Sequence, residues 1–175
     1  EWGKPEQAIG DLNEAIRLGQ QGESELLERG RAYAAMGDYD KAITDYESYL
    51  QFDPDDPEVY LRRGIARAAL GNHKSAIEDY DLIVGPDSGD THQSHPWEAA
   101  ECYHQRGNSF AALGDYVQAV RDYTSALDLG QYLGQKELVS IYVMRGDAFR
   151  ILGFDAESTS DLASAQRLQG YKASN

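Results

Sequence analysis

Cysteine occurs once in 175 residues, as Cys102, so neither an internal disulfide nor a cysteine-based zinc site is available. Basic residues are also scarce, with 16 Lys and Arg against 30 Asp and Glu, for a formal charge of −14 at pH 7. A surface of that sign repels phosphate, which argues against nucleic-acid or anionic-membrane partners. The deficit is uneven: residues 1–90 hold 20 acids and 9 bases (−11), and residues 91–175 hold 10 and 7 (−3). No apolar run approaches the roughly 18 residues needed to span a bilayer. No signal-peptide pattern opens the sequence, so a cytoplasmic location is expected. Phosphate-cradling glycine loops, a Gly-x-Ser-x-Gly elbow and a His-Glu-x-x-His helix are all missing. What is present is 41% hydrophobic residues, enough for a packed core, in a length that suits one domain.

The sequence repeats. Arg-Gly recurs at Arg29-Gly30, Arg63-Gly64, Arg106-Gly107 and Arg145-Gly146, and seven residues after each glycine stands another: Gly37, Gly71, Gly114 and Gly153. Five further on come Ala42, Ala76 and Ala119, then Tyr46, Tyr80 and Tyr123 four later. The Arg-Gly glycines are 34, 43 and 39 residues apart, which is a 34-residue period with inserts of nine and five. Each period reads as two helices. Leu26, Gly30 and Tyr33 share one helical face before Gly37, and Tyr39, Ala42, Tyr46, Tyr49 and Leu50 trace a second stripe after it. Gly37-Asp38 stops one helix and starts the next. Pro57, after Asp53-Pro54-Asp55-Asp56, suits a first helical turn.

These residues resemble the tetratricopeptide repeat. Numbered within a repeat, Tyr60, Tyr103 and Tyr142 fall at position 4, the Arg-Gly glycines at position 8, and Ala42, Ala76 and Ala119 at position 20. The resemblance implies an all-α fold, a right-handed α-solenoid of antiparallel helix pairs with about nine helices. One domain over 1–175 is expected, with full repeats at 23–56, 57–99, 100–138 and 139–170. Inserts lie near 85–97 and 130–136, and residues 1–22 hold only the second helix of a repeat. That opening half-repeat points to a piece of something longer. Ser158 in place of the position-20 alanine, and Tyr49 in place of a small residue at position 27, suggest looser packing in the last repeat.

Position 7 carries Arg29, Arg63, Arg106 and Arg145, and position 23 carries Asp11, Asp45, Asp79, Asp122 and Asp161. Matched numbers favour repeated ion pairs between helices, within a repeat or with the preceding one, over an exposed arginine ladder. Nine of the twelve tyrosines fall at positions that the resemblance packs inward. Only Tyr49, Tyr132 and Tyr171 do not. Cys102 and His104 point to different faces of a helix, so they form no nucleophile–base pair. His92 and His95, with Asp87 and Asp90, lie in an insert and are read as ordinary loop composition rather than a metal site. No catalytic, cofactor-binding or metal-binding residue is therefore assigned, and no enzyme activity or cofactor is expected.

The resemblance places first-helix positions 2, 5, 6, 9, 12 and 13 on the concave face. Among them, Leu27, Glu28, Arg31, Glu58, Leu61, Arg62, Ile65, His104, Asn108, Val143, Met144 and Asp147 form the candidate peptide-binding groove, a mixed and partly apolar trough. The family's clamp for a C-terminal carboxylate is not matched: position 5 holds Leu27 and Leu61, and position 2 holds Glu58 and Glu101. The expected function is a non-catalytic scaffold binding a peptide or helix of a partner protein, with apolar anchors in the more acidic front half. The alternative is an assembly or regulatory region of a larger protein whose catalytic domain lies elsewhere. Self-association through the end helices is a further possibility.

Overall fold

The computed structural model describes residues 5–17, 23–86 and 94–170. Among them are nine α-helices and no strand. They are α1 (Pro5–Arg17), α2 (Glu23–Ala35), α3 (Tyr39–Tyr49), α4 (Pro57–Ala69), α5 (His73–Val84), α6 (Pro96–Ala112), α7 (Tyr116–Asp128), α8 (Gln135–Ile151) and α9 (Asp155–Gly170). A short 3-10 turn, Gly130–Tyr132, lies between α7 and α8. The chain divides into two compact units, Glu1–Asp79 and Tyr80–Asn175.

The four turn glycines have one geometry. Gly37, Gly71, Gly114 and Gly153 all adopt φ of 80–84°, a left-handed conformation that costs a residue with a Cβ. At each, the glycine N–H donates three residues back and the next N–H donates five back, as in Gly37 to Ala34 (3.0 Å) and Asp38 to Tyr33 (2.9 Å). This is a Schellman closure, which satisfies the last carbonyls of the first helix and reverses the chain in two residues. It is repeated at Asn72–Arg67, Asp115–Phe110 and Phe154–Phe149.

In the first unit, α2 and α3 form a pair, and α3 also packs on α4. Their core is Ala42, Tyr46, Tyr49 and Val59, with Leu26, Leu27 and Tyr33 against it. Pro57 opens α4 as expected, and Asp56 caps it by accepting the N–H groups of Glu58 and Val59. Tyr49 does not loosen this junction. It is buried, and its hydroxyl donates to the same Asp56 carboxylate at 2.9 Å. Burial, with that bond, pushes its phenol up to about 12.

In the second unit, α6 pairs with α7, α7 packs on α8, and α8 pairs with α9. Ala119, Tyr123, Ala126 and Ile141 form the core, with Tyr103, Phe110 and Leu133 beside it. The two inserts are shorter as loops than the period alone suggests. Both α6 and α8 have 17 residues, against 13 in α2 and α4, so about one turn of each insert is spent lengthening the helix that follows. Trp97, expected in the loop, therefore lies in the first turn of α6.

The position-8 glycines mark close helix contact. A Cβ on Gly30 would sit 2.6 Å from Tyr46 Cε1, and one on Gly107 would sit 2.8 Å from Tyr123 Cε1. At Gly146 the nearest atoms are at 3.3–3.4 Å, because Leu162 stands where the other repeats have tyrosine. The last pair is roomier at this point, although Ser158 itself is buried.

Candidate functional site

Positions 7 and 23 hold the helix pairs in register. Arg29 reaches Asp45, Arg63 reaches Asp79, Arg106 reaches Asp122 and Arg145 reaches Asp161, each with Nε and Nη2 on the two carboxylate oxygens. All four pairs lie within one repeat. The remaining Nη1 of Arg29, Arg106 and Arg145 extends to position 25 of the preceding repeat, at Asn13, Asp81 and Thr124. In the repeat at 57–99 Arg67 takes that role, bridging Asp79 and Glu47. Position-4 tyrosines cover the guanidiniums: Arg63 lies 5.2 Å from the Tyr60 ring centre and Arg106 5.5 Å from that of Tyr103. Burial pushes the carboxyls of Asp79 and Asp122 up, opposed by the facing arginines. These arginines are structural and leave no free row for an acidic ligand.

The predicted groove residues fall in two places. In the first unit, Glu28, Arg31, Glu58 and Arg62 are joined into one ionic cluster: Arg31 contacts both glutamates, and Arg62 Nη2 meets Glu58 at 2.6 Å. Burial alone would raise the Glu58 carboxyl, but Arg62 and Arg31 outweigh it and hold it below its ordinary value. Leu27 is half-buried against the core, and Ile65 is exposed. Leu61 corrects the sequence reading. It is 2% exposed and belongs to the core, so it cannot meet a partner as the groove floor. Ile65, one turn further along the same side of α4, is the residue that stays exposed.

In the second unit, Asn108, Met144 and Asp147 line an open pocket of about 390 Å³. Ala111, Tyr116, Tyr123, Ala148 and Ile151 complete its wall. Asn108 and Ala111 come from α6, Tyr116 and Tyr123 from α7, and Met144 to Ile151 from α8. Tyr123 donates its hydroxyl to Asn108 Oδ1 at 2.9 Å, which fixes the amide at the pocket edge. Burial pushes the Tyr123 phenol upward, so it stays a donor. Asp147 pairs with Arg150 on the exposed rim at 2.8 Å. Val143 is half-buried and lies outside this wall.

His104 is the second correction. It is 6% exposed, its two ring nitrogens have no hydrogen-bond partner, and it does not line the pocket. Tyr116 and Tyr123 are the residues that sequence reasoning missed. Both sit at second-helix positions that were assigned to core filling, and Tyr123 does fill the core while its hydroxyl reaches the groove.

Cys102 is buried, with its thiol against the Tyr80 carbonyl at 3.5 Å, and burial raises its pKa well above the ordinary thiol value. His92, Asp87, Asp90 and Tyr171 lie outside the described residues. His95 is exposed at the start of α6, 3.8 Å from Glu98. Among the described residues no group of three or more His, Cys, Asp or Glu could hold a metal ion, and no helix is long and apolar enough to cross a membrane.

Residues 30–71 match the family model described as TPR repeat. No curated protein sequence matches the chain. Solved structures similar to it include MamA, at TM-score 0.80 and 17% identity over 95% of this chain and 90% of that one. MamA 41-end from Desulfovibrio magneticus RS-1 superposes at TM-score 0.82 and 19% identity, over 98% and 89% of the two chains. BtubC (BKLC) from P. vanneervenii gives TM-score 0.83 at 16% identity, over 99% and 76%. Residues 30–71 are thus a TPR repeat by sequence, and the helix pairs described here have the tetratricopeptide-repeat fold.

Proposed function

We propose that residues 1–175 act as a non-catalytic scaffold that binds a peptide or helix of a partner protein. The observation that carries this reading is the pocket of the second unit. Its wall is apolar at Ala111, Met144, Ala148 and Ile151, with Asn108 and Asp147 placed to orient a backbone or polar side chain. Ile151 is 55% exposed and Met144 39%, and they line the same pocket, which leaves joined apolar surface to cover. The chemistry around it supports binding rather than catalysis. The one thiol is buried and held protonated, and His104 does not line the pocket, so that thiol and imidazole do not meet there.

The front-half groove is the weaker contact surface in this reading. Its charged members Glu28, Arg31, Glu58 and Arg62 already satisfy one another, and Leu61 is core. Selection of a random dodecapeptide display library on the intact chain tests the proposal. Enriched peptides should carry an apolar anchor and bind at least about tenfold more weakly to Met144→Lys or Ile151→Lys, since each places a charge in a desolvated contact. Peptides that bind both variants as well as the parent would overturn the reading.

A further inference from the structure

The pocket of the second unit is reached by a run of side-chain hydrogen bonds that starts outside it. Glu101, Gln105 and Asn108 stand at positions 2, 6 and 9 of their repeat, spaced i, i+4 and i+7 on α6, so they share one helical face. Gln105 Nε2 donates to Glu101 Oε1 at 2.7 Å, and Asn108 Nδ2 donates to Gln105 Oε1 at 3.3 Å. The Tyr123 hydroxyl then donates to Asn108 Oδ1 at 2.9 Å. Asn108 and Tyr123 line the pocket, whereas Glu101 and Gln105 do not.

This run has a direction, and Glu101 sets it. An ionised carboxylate only accepts, so the Gln105 amide turns its NH2 group toward Glu101 and its carbonyl toward Asn108. That carbonyl in turn only accepts, so Asn108 presents Nδ2 to it and Oδ1 to Tyr123. The far end imposes nothing, because a phenol hydroxyl donates or accepts and follows whichever end of the amide it meets. Burial raises the Glu101 carboxyl, but neighbouring His104 and the Gln105 amide outweigh it and hold the group below its ordinary value. Glu101 is therefore ionised near neutral pH, as the direction requires.

The arrangement belongs to the repeat whose first helix walls the pocket. In the repeat at 57–99, positions 2 and 6 are the ion pair Glu58–Arg62 and position 9 is Ile65. In the repeat at 139–170 the three positions hold Ser140, Met144 and Asp147. An amide that gives one N–H to Gln105 and one lone pair to Tyr123 keeps one of each for a ligand.

We propose that Glu101 and Gln105 are positioning residues of the pocket, holding the Asn108 amide so that a bound peptide meets a donor on the Gln105 side and an acceptor on the Tyr123 side. The inference rests on the peptide-binding reading of the pocket and adds to it two residues that do not line it. Without the carboxylate at 101, both amides can turn over together and keep every hydrogen bond. Asn108 would then donate to Tyr123 and accept from Gln105, with the order of donor and acceptor reversed.

Glu101→Gln tests this directly, since it keeps the shape of the side chain and removes only its obligation to accept. Combining Glu101→Gln with Gln105→Glu restores the direction at the parent's net charge: the carboxylate at 105 accepts from Asn108 and from the new amide at 101. Circular dichroism should show parental helix content in both variants. Nitrogen–proton correlation NMR reads the Asn108 side-chain amide, whose resonances should shift or split in Glu101→Gln and return to a single set in the combined variant. Dodecapeptides selected on the parent chain should bind Glu101→Gln about five- to tenfold more weakly, and the combined variant about as tightly as the parent. In an Asn108→Ala background, Glu101→Gln should have almost no further effect. Asn108 resonances unmoved by Glu101→Gln, or equal loss of affinity in the single and combined variants, would overturn the proposal. Displaced resonances with unchanged peptide affinity would also overturn it, and would leave the pocket reading standing. Peptides indifferent to Met144→Lys, or a library that yields no binder, would remove the pocket reading and the role of Glu101 together.

Discussion

Arg106 and Asp122 stand 16 residues apart and are joined by two parallel bonds, Nε to Oδ2 and Nη2 to Oδ1, both at 2.8 Å. The same spacing and the same two nitrogens recur at Arg29–Asp45, Arg63–Asp79 and Arg145–Asp161. Sixteen residues is the distance from position 7 of a first helix, through the glycine turn, to position 23 of the second. The pair therefore reports whether the two helices are in register. A buried charge pair contributes little net stability, but removing one member strands the other.

That relationship gives the first prediction. Arg106→Met should cost about 3–5 kcal/mol in urea unfolding, because Asp122 is left buried without its partner. Arg106→Met combined with Asp122→Leu should cost less than Arg106→Met alone. Absence of coupling in this double-mutant cycle would show that the pair does not act as a unit. Asp81, the second partner of Arg106, is half-exposed on its side chain and should couple more weakly.

Gly107 and Gly146 occupy the same position and should respond differently to alanine. At Gly107 the new methyl would meet the buried Tyr123 ring at 2.8 Å, so Gly107→Ala should cost on the order of 1–3 kcal/mol through overpacking. At Gly146 the closest approach is 3.3 Å, and the gain in helix propensity offsets most of the strain. Thermal melts of the two variants should be separated by several degrees. Equal melting points would show that position 24, tyrosine or leucine, does not set the helix spacing.

Acidification should act on the first unit through Glu58. Its carboxyl is held below the ordinary 4.5 in the folded state by Arg62 and Arg31, which outweigh its burial. The folded chain thus binds this proton less tightly than the unfolded chain. The stabilisation is full above 4.5 and is lost as pH falls through the lower folded value. The stability difference between the parent and Glu58→Gln should shrink as pH falls from above 4.5 through the lower folded value. Asp79 and Asp122, whose carboxyls are raised, change stability in the opposite sense and cancel in that difference. A difference that stays constant with pH would dissociate Glu58 from the cluster.

Leu61 and Met144 were read from the sequence as equivalent groove residues, and the structure separates them. Leu61→Ala should cost about 2–5 kcal/mol, as expected for a fully buried leucine. Met144→Ala removes a side chain that is 39% exposed and should change stability by less than about 1 kcal/mol. Chemical denaturation of the two variants checks both values, and similar losses would contradict this assignment of faces.

The sequence by itself determined the local architecture. Glycine tolerates the left-handed conformation that closes a helix, so Gly37, Gly71, Gly114 and Gly153 at fixed intervals mark the helix ends in the sequence itself. The alternation of Ala42 with Tyr46, repeated at Ala76 with Tyr80 and Ala119 with Tyr123, named the buried stripe of each second helix. Matched arginines and aspartates implied ion pairs. What they left open was which aspartate each arginine takes, because Arg63, for example, has Asp79 16 residues ahead of it and Asp45 18 residues behind. Tertiary packing chose the partner within the repeat and gave the spare nitrogen to the repeat before it. Periodicity was also blind to depth. Positions 5 and 6 fall on neighbouring parts of one helical face, so Leu61, His104 and Met144 looked alike. Packing then buried Leu61 and His104, both at position 5, and left Met144, at position 6, open. The inserts show the same limit: their length was countable, but only the packed structure turned part of it into an extra turn of α6 and α8.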